Sequence, residues 1–341
     1  MSDISVRIQG RAGRITLQRP KALNAVTYEM VKAIDAALDD WRNNDEVALI
    51  VIDAEGDKAF SAGGDIADLY ATGKAGDFSF GQTFWRDEYR MNAKLHEYEK
   101  PVVSFLQGFT MGGGMGVGCH GSHRIVGESS QIAMPECGIG LVPDVGGSMI
   151  LAHAPGHLGA YLGTTGTRMG PADAILVGFA DLYIPQGKWP SLIQQLEECG
   201  DASILADASD TPPSGQASAN QAEIDQHFSA SNLPSVVASL EASETEFAGK
   251  TLKALLRSSP LSTACTLEMM RQLRTATIRE ALQMEYRFTF RAMEHGDFIE
   301  GIRAAIIDKD RNPQWQHDAH DLPRGAVETM LAPLGDNELT F

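Results

Sequence analysis

The chain has no apolar run near the roughly 20 residues that a membrane-spanning helix needs, so no membrane partner is expected. Its start, MSDISVRIQG, has neither a basic stretch followed by an apolar one nor the Arg- and Ser-rich character of an organelle transit peptide. The expectation is a chain that works in the cytoplasm, where it is made. Cysteine is scarce. Cys119, Cys137, Cys199 and Cys265 are widely spaced and form no CxxC pair. That argues against a zinc site or a disulfide framework and for reduced, mostly buried thiols. The nine histidines are scattered without HExxH, and no metal is predicted. Positive charge is also short, with 28 Lys and Arg against 45 Asp and Glu, a net charge of −17. Nucleic acid and anionic membrane surfaces are poor partners for such a chain. An anionic small ligand needs only a local basic patch and stays open.

Glycine is abundant, 34 in 341 residues, and its densest use is residues 111–147, MGGGMGVGCHGSHRIVGESSQIAMPECGIGLVPDVGG. Glycine serves where the backbone must approach something closely or take positive φ. Two acids, Glu136 after a proline and Asp144 before two glycines, sit in this stretch. Such an arrangement resembles a reaction centre more than a packing solution.

Before it, residues 4–8 and 14–18 alternate around a Gly-containing turn and read as a β-hairpin. Thr27 is a plausible cap for an amphipathic helix over 28–41. The runs VALIVI (47–52) and PVVSFL (101–106) suit strands buried on both faces, with a helix over 80–98 between them. Strand, loop and helix repeat, which gives an α/β layer with mostly parallel pairing. Residues 206–222 are Ser-, Ala- and Pro-rich and read as a linker or exposed loop. The expected organisation is therefore an α/β core over 1–205, that linker, and a helical region over 223–341. No internal repeat is apparent.

Gly116, Gly118 and Gly121 match GxGxxG, but the fingerprint should begin directly off a strand, and here the strand ends near Leu106. A different use of the glycines fits better. SAGG (61–64) and MGGG (111–114) each follow a buried strand. Two backbone N–H groups from such loops can converge on one oxygen as an oxyanion hole, each contributing on the order of 3 kcal/mol in the transition state. Glu136 can then serve as general base or nucleophile beside a polarised carbonyl. Its alternative, a solvated turn residue, fits poorly with Ile132, Ala133, Ile139 and Leu141 around it. Cys137 could be read as a nucleophile, but no histidine lies at a suggestive spacing.

The segments AFSAGGDI (59–66), GFTMGGGMGVG (108–118) and MPECGIGLVPDVGG (134–147) resemble those of the enoyl-CoA hydratase/isomerase (crotonase) superfamily. RPKALNA (19–25) is similar to its CoA loop. FWRDEY (84–89), MEYRF (284–288) and HGDFIEGIRAAIIDKDRNPQW (295–315) resemble a thioester-hydrolase subgroup within it. The resemblance implies a crotonase-like (ClpP/crotonase) α/β spiral of ββα units with a helical C-terminal region. It implies Ala62 and Gly113 as the oxyanion-hole donors. Glu136 becomes the catalytic glutamate and Asp144 the second acid, and both bind substrate together with Glu88 and Gly113. Arg19, Lys21, Ala22, Ala62, Gly64, Asp65 and Ile66 become CoA-binding positions, with Lys309 a possible addition. Residue by residue, Asp65 has a plainer reading as a helix cap, Asp144 could also cap a helix, Glu88 is by default a solvated helix residue, and Arg19 and Lys21 are by default exposed cations.

The hydratases carry a second catalytic glutamate two residues after the glycine triplet, where this chain has Gly116. Their water-positioning glycine falls at Asp144. Hydration needs two carboxylates on one water, so the implied activity is hydrolysis of a short branched 3-hydroxyacyl-CoA in valine degradation. No cofactor is expected, since coenzyme A is part of the substrate. The superfamily often forms trimers, which makes a homo-oligomer one expectation. Enoyl-CoA hydration or isomerisation is the alternative within the superfamily, and a non-catalytic acyl-CoA-binding protein the alternative outside enzymes.

Overall fold

A computed structural model describes residues 3–323 and 325–341, so Met1 and Ser2 of the N-terminal reading lie outside it. The strands are Ile4–Gln9 (β1), Ala12–Leu17 (β2), Leu49–Ala54 (β3), Ala59–Ser61 (β4), Val102–Leu106 (β5), Phe109–Met111 (β6), His123–Val126 (β7), Gln131–Ala133 (β8) and Leu182–Tyr183 (β9). The helices used below are Tyr28–Arg42 (α1), Ala67–Lys74 (α2), Ser79–His96 (α3), Gly113–Gly118 (α4), Gly147–His153 (α5), Leu158–Thr165 (α6), Trp189–Cys199 (α7), Pro260–Gln272 (α8), Ile278–His295 (α9) and Phe298–Ile302 (α10).

The chain divides into two compact units. The first comprises residues 1–65, 87–132 and 169–215. The second comprises 66–86, 133–168 and 216–341. The expected boundary at residue 205 is therefore not where the chain divides, because 66–86 and 133–168 group with the C-terminal helices. Composition marks 206–222 as irregular; helix runs to Ala208 and begins again at Ser218, so the stretch without helix is shorter than that. Composition cannot show which distant segments pack together.

In the first unit, strands take turns between two sheets. One has the order β1-β2-β3-β5-β7-β9, the other β4-β6-β8. The hairpin β1–β2 is antiparallel, and β2, β3, β5, β7 and β9 follow in parallel register. The ββα spiral expected from the resemblance is present: each of β3, β5 and β7 joins the large sheet and its successor joins the small one. The small sheet is absent from any sequence periodicity because its strands are three residues long, too short to show alternation.

The central strands β3 and β5 are mostly apolar because both faces are covered. Leu49, Val51, Val103, Phe105 and Ile125 share a face packed by Trp189, Leu192 and Leu196 of α7. The opposite face meets α1. A methyl at Gly13 would lie 2.4 Å from the Trp41 ring, so only glycine allows that approach. Thr27 caps α1 by accepting from the Met30 N–H, as its position predicts.

In the second unit, α5, α6 and α8 pack on one another, and α9 packs on α5 and α10. The helix α9 opens with a capping box in which Thr277 and Glu280 satisfy each other's backbone donors. Among the described residues no helix is long and apolar enough to cross a membrane.

Candidate active site

In the first unit the loop after β4 is fixed by a parallel bridge between Val26 and Gly64. The Val26 N–H donates to Gly63 O at 2.9 Å and the Asp65 N–H to Val26 O at 2.8 Å. In a parallel ladder the residue between those two bonds turns its own N–H the other way. Gly64 is that residue. Gly113 opens α4, where the N–H has no intrahelical acceptor. A methyl built on Gly113 would lie 3.1 Å from Gly64 N and 3.1 Å from Glu88 Oε1. Two amides without an acceptor among the described residues thus stand side by side, with the buried Glu88 carboxyl next to them.

Ala62, expected as the donor, has its N–H committed to Leu23 O at 3.0 Å. Among the described residues, the amide left without an acceptor is that of Gly64, expected only among the CoA-binding positions. The sequence offers three consecutive amides at 62–64. Which one faces outward depends on the bridge to Val26, a contact made across 38 residues of chain (64 − 26). Behind α4, the Asn92 amide donates to Gly116 O at 3.1 Å.

Arg19 is not a free cation. Its guanidinium donates to Ala25 O at 2.6 Å and pairs with Asp65 at 3.0 Å and Asp3 at 3.3 Å. Asp65 is accordingly not the cap of α2, whose N-cap is the half-buried Ile66 without a side-chain bond. Lys21 and Ala22 are exposed. Lys21 and Lys58 line a cavity of about 280 Å³ together with Asn24 and Glu55. Lys309, in the second unit, is exposed on left-handed backbone at φ 58°.

In the second unit Glu136 begins a 3-10 turn, Glu136–Ile139, closed by Gly140 at φ 76°. Gly140 must be glycine twice over: its backbone is left-handed, and a methyl there would lie 2.5 Å from the Asp297 backbone. The turn is held from outside by the Ser259 N–H, which donates to Cys137 O at 2.9 Å. Ser259 Oγ in turn donates to Asp297 Oδ2 at 2.6 Å. The Cys137 thiol is buried against Thr266 and Gly163 and is pushed up to about 12 by burial, which makes it a packing residue and not a nucleophile.

Glu136 is 4 % exposed, and its Oε2 is buried without a hydrogen-bond partner. Burial raises its pKa well above the ordinary carboxylate range, and the nearby charges of Asp144 and Glu285 raise it further. Asp144 is 4 % exposed and Glu285 fully buried. Glu285, which no sequence motif singled out as functional, accepts from the Gly146 N–H at 2.9 Å and the Ser148 N–H at 3.2 Å. The Ser148 hydroxyl also donates to it. Its pKa is pushed up to about 8 by burial and by Asp144. The one hint in the sequence is its place in MEYRF, an acid at an inward position of an otherwise amphipathic helix.

A buried, unpartnered carboxyl oxygen and two outward amides are the tools of acyl transfer. The enoyl-CoA hydratase/isomerase family model matches residues 12–331. The chain belongs to the enoyl-CoA hydratase/isomerase family. Its curated relatives include the protein named 3-hydroxyisobutyryl-CoA hydrolase, mitochondrial, from Gallus gallus, 36% identical over 99% of this chain and 91% of that one. The protein of the same name from Danio rerio is 38% identical over 92% and 85%. Among solved structures, an enoyl-CoA hydratase from Rhodobacter sphaeroides 2.4.1 is 57% identical with a TM-score of 0.97 and full coverage of both chains. A carnitinyl-CoA dehydratase from Mycobacterium thermoresistibile is 36% identical with a TM-score of 0.95, covering 100% of this chain and 99% of that one. These relatives carry hydrolase, hydratase and dehydratase names, and the chemistry of the site has to choose among them.

Proposed function

We propose that the chain is an acyl-CoA thioester hydrolase acting on a short branched 3-hydroxyacyl-CoA, with 3-hydroxyisobutyryl-CoA as the substrate and valine degradation as the setting. The observation that carries this reading is Glu136: a buried carboxyl with one unpartnered oxygen, while Gly116 stands where the family's hydratases have their second acid. A hydratase holds one water between two carboxylates. Thioester hydrolysis needs one carboxylate and a stabilised oxyanion.

In this mechanism the N–H groups of Gly64 and Gly113 take the thioester oxygen as it gains charge. Glu136 acts on the carbonyl carbon in one of two ways. As nucleophile, its oxygen forms a bond to that carbon, the C–S bond breaks, and CoA leaves as the thiol after taking a proton. Water then cleaves the mixed anhydride. As general base, Glu136 takes a proton from water, the hydroxide equivalent attacks the carbonyl carbon, the C–S bond breaks, and the proton passes to the departing CoA thiolate. Asp144 binds the 3-hydroxyl of the acyl group or passes a proton. Lys21 and Lys58 supply positive charge for the CoA phosphates, and Arg19 braces the loop that carries Lys21. No cofactor is invoked. A cytoplasmic setting is part of the proposal; the vertebrate relatives are named mitochondrial.

Turnover of a panel of short 3-hydroxyacyl-CoA esters, followed by a thiol reagent that detects free CoA, tests the reading. Free CoA from the branched C4 ester is expected. Loss of enoyl absorbance with no thiol release would establish the hydratase reading instead, which the name of the 57% identical structure favours. Turnover in heavy-oxygen water, with mass spectrometry of the Glu136 peptide, separates the two routes: label in that side chain excludes the general base.

A further inference from the structure

Asp144 leads into an unusual piece of backbone. Val145 has φ 50° and Gly146 φ 82°, two consecutive left-handed residues. Glycine accepts that conformation freely, but valine is β-branched and resists it strongly. Such a residue persists only where its surroundings over-determine it. The Gly147 N–H closes the turn on Asp144 O at 2.7 Å, and α5 starts there. From the other side, one side chain takes three of the turn's donors. Glu285, from the middle of α9, accepts the Gly146 N–H, the Ser148 N–H and the Ser148 hydroxyl.

We propose that Glu285 is a positioning residue that clamps the 144–148 turn and thereby fixes Asp144 beside Glu136. This rests on the hydrolase reading for what the fixed pair does. A clamp needs a carboxyl here because its two oxygens take separate donors. Oε2 takes Gly146, and Oε1 takes both groups of Ser148. An apolar residue of the same size would strand three buried donors. The clamp has a second effect. Glu136, Asp144 and Glu285 are the acids that act on one another here, and among the described residues no cation pairs with Glu136 or Glu285. Such a set titrates as a unit, so Glu285, after burial and Asp144, adds to the raised pH at which Glu136 loses its proton. Of the elements packed on α9, α5 contributes Ser148 and the turn before it contributes Asp144; Glu136 comes from its 3-10 turn.

The test is Glu285→Gln in the full chain. The amide keeps the size and one acceptor oxygen, but its NH₂ must face either Gly146 or Ser148. Three readouts are expected to move together: kcat for the 3-hydroxyacyl thioester falls by about 10- to 100-fold with KM changed less than threefold; the acidic limb of the kcat profile shifts to lower pH, because a neighbouring acid is gone; and in a crystal structure Val145 leaves positive φ. An unchanged kcat, unchanged limb and unchanged Val145 would overturn the clamp. If Glu285→Gln does not fold, Ser148→Ala decides. It removes one donor to Glu285, so the carboxyl titration near pH 8, followed by the infrared carbonyl stretch, must move to higher pH; no movement overturns the proposal. If the wild-type chain releases no CoA from any thioester, the hydrolase reading fails. The clamp is then judged on Val145 and the infrared titration alone, which need no turnover.

Discussion

In either proposed role, as nucleophile or as base, Glu136 is useful only when ionised. Burial and two acidic neighbours favour its protonated form, so the proton leaves at a pH well above the ordinary carboxylate range. The sign follows: kcat/KM should fall as pH drops through that raised value, and a plateau should appear only on its alkaline side. A profile flat down to the ordinary carboxylate range would contradict this assignment. Glu136→Gln should lose on the order of 10²- to 10⁴-fold in kcat, the range for a positioned proton-transfer group, while acyl-CoA binding measured by calorimetry persists. A mutant that turns over like wild type would return the chain to the reading of a non-catalytic acyl-CoA-binding protein.

At the scale of elements, function depends on short pieces held by contacts far away in the chain. The helix α4 begins at Gly113, and its approach to the neighbouring loop leaves 3.1 Å where a methyl would stand. Gly113→Ala should push the Gly64 and Gly113 amides apart and lower kcat by about 10²-fold, somewhat less than deleting a whole oxyanion-hole donor, with the melting temperature showing whether the fold is kept. The cap of α9 is a contrasting case. Thr277 is at the exposed end of the helix that carries Glu285. Thr277→Ala should cost about 1 kcal/mol of stability and a few degrees of melting temperature, with kcat unchanged. Calorimetry and steady-state rates on the same sample check both halves of that expectation.

For the whole molecule, the net charge of −17 meets a substrate whose CoA portion is also strongly negative. Long-range repulsion is screened by salt, whereas the short-range contacts proposed for Lys21 and Lys58 are screened less. Raising ionic strength from about 0.01 M to about 0.15 M shortens the screening length from roughly 30 Å to 8 Å, so kcat/KM should rise over that range. A fall instead would mean that attraction by the basic residues dominates the approach. The two-sheet spiral is also decided at this scale: the large sheet takes β1, β2, β3, β5, β7 and β9, and the small one takes the strands between.

The sequence by itself determined the elements with enough length to show a period: the hairpin, α1 with its Thr27 cap, the doubly buried strands β3 and β5, and the helices α3 and α9. Its motifs also brought Glu136 and Asp144 into view, because acids are rare in such apolar and glycine-rich surroundings, and the family resemblance pointed to Glu88 and Gly113. The tertiary structure alone decided the rest. Three-residue strands have no readable period, so the small sheet was invisible. Among the amides of 62–64, the bridge from Val26 selects Gly64 and commits Ala62 to Leu23. Asp65 could have capped a helix, and Arg19 draws it away. Glu285 lies 141 residues after Asp144 (285 − 144) and acts on it only because α9 packs against α5. Local propensity reaches a few residues along the chain, whereas hydrogen bonding and desolvation act through space, and the site is built from the second.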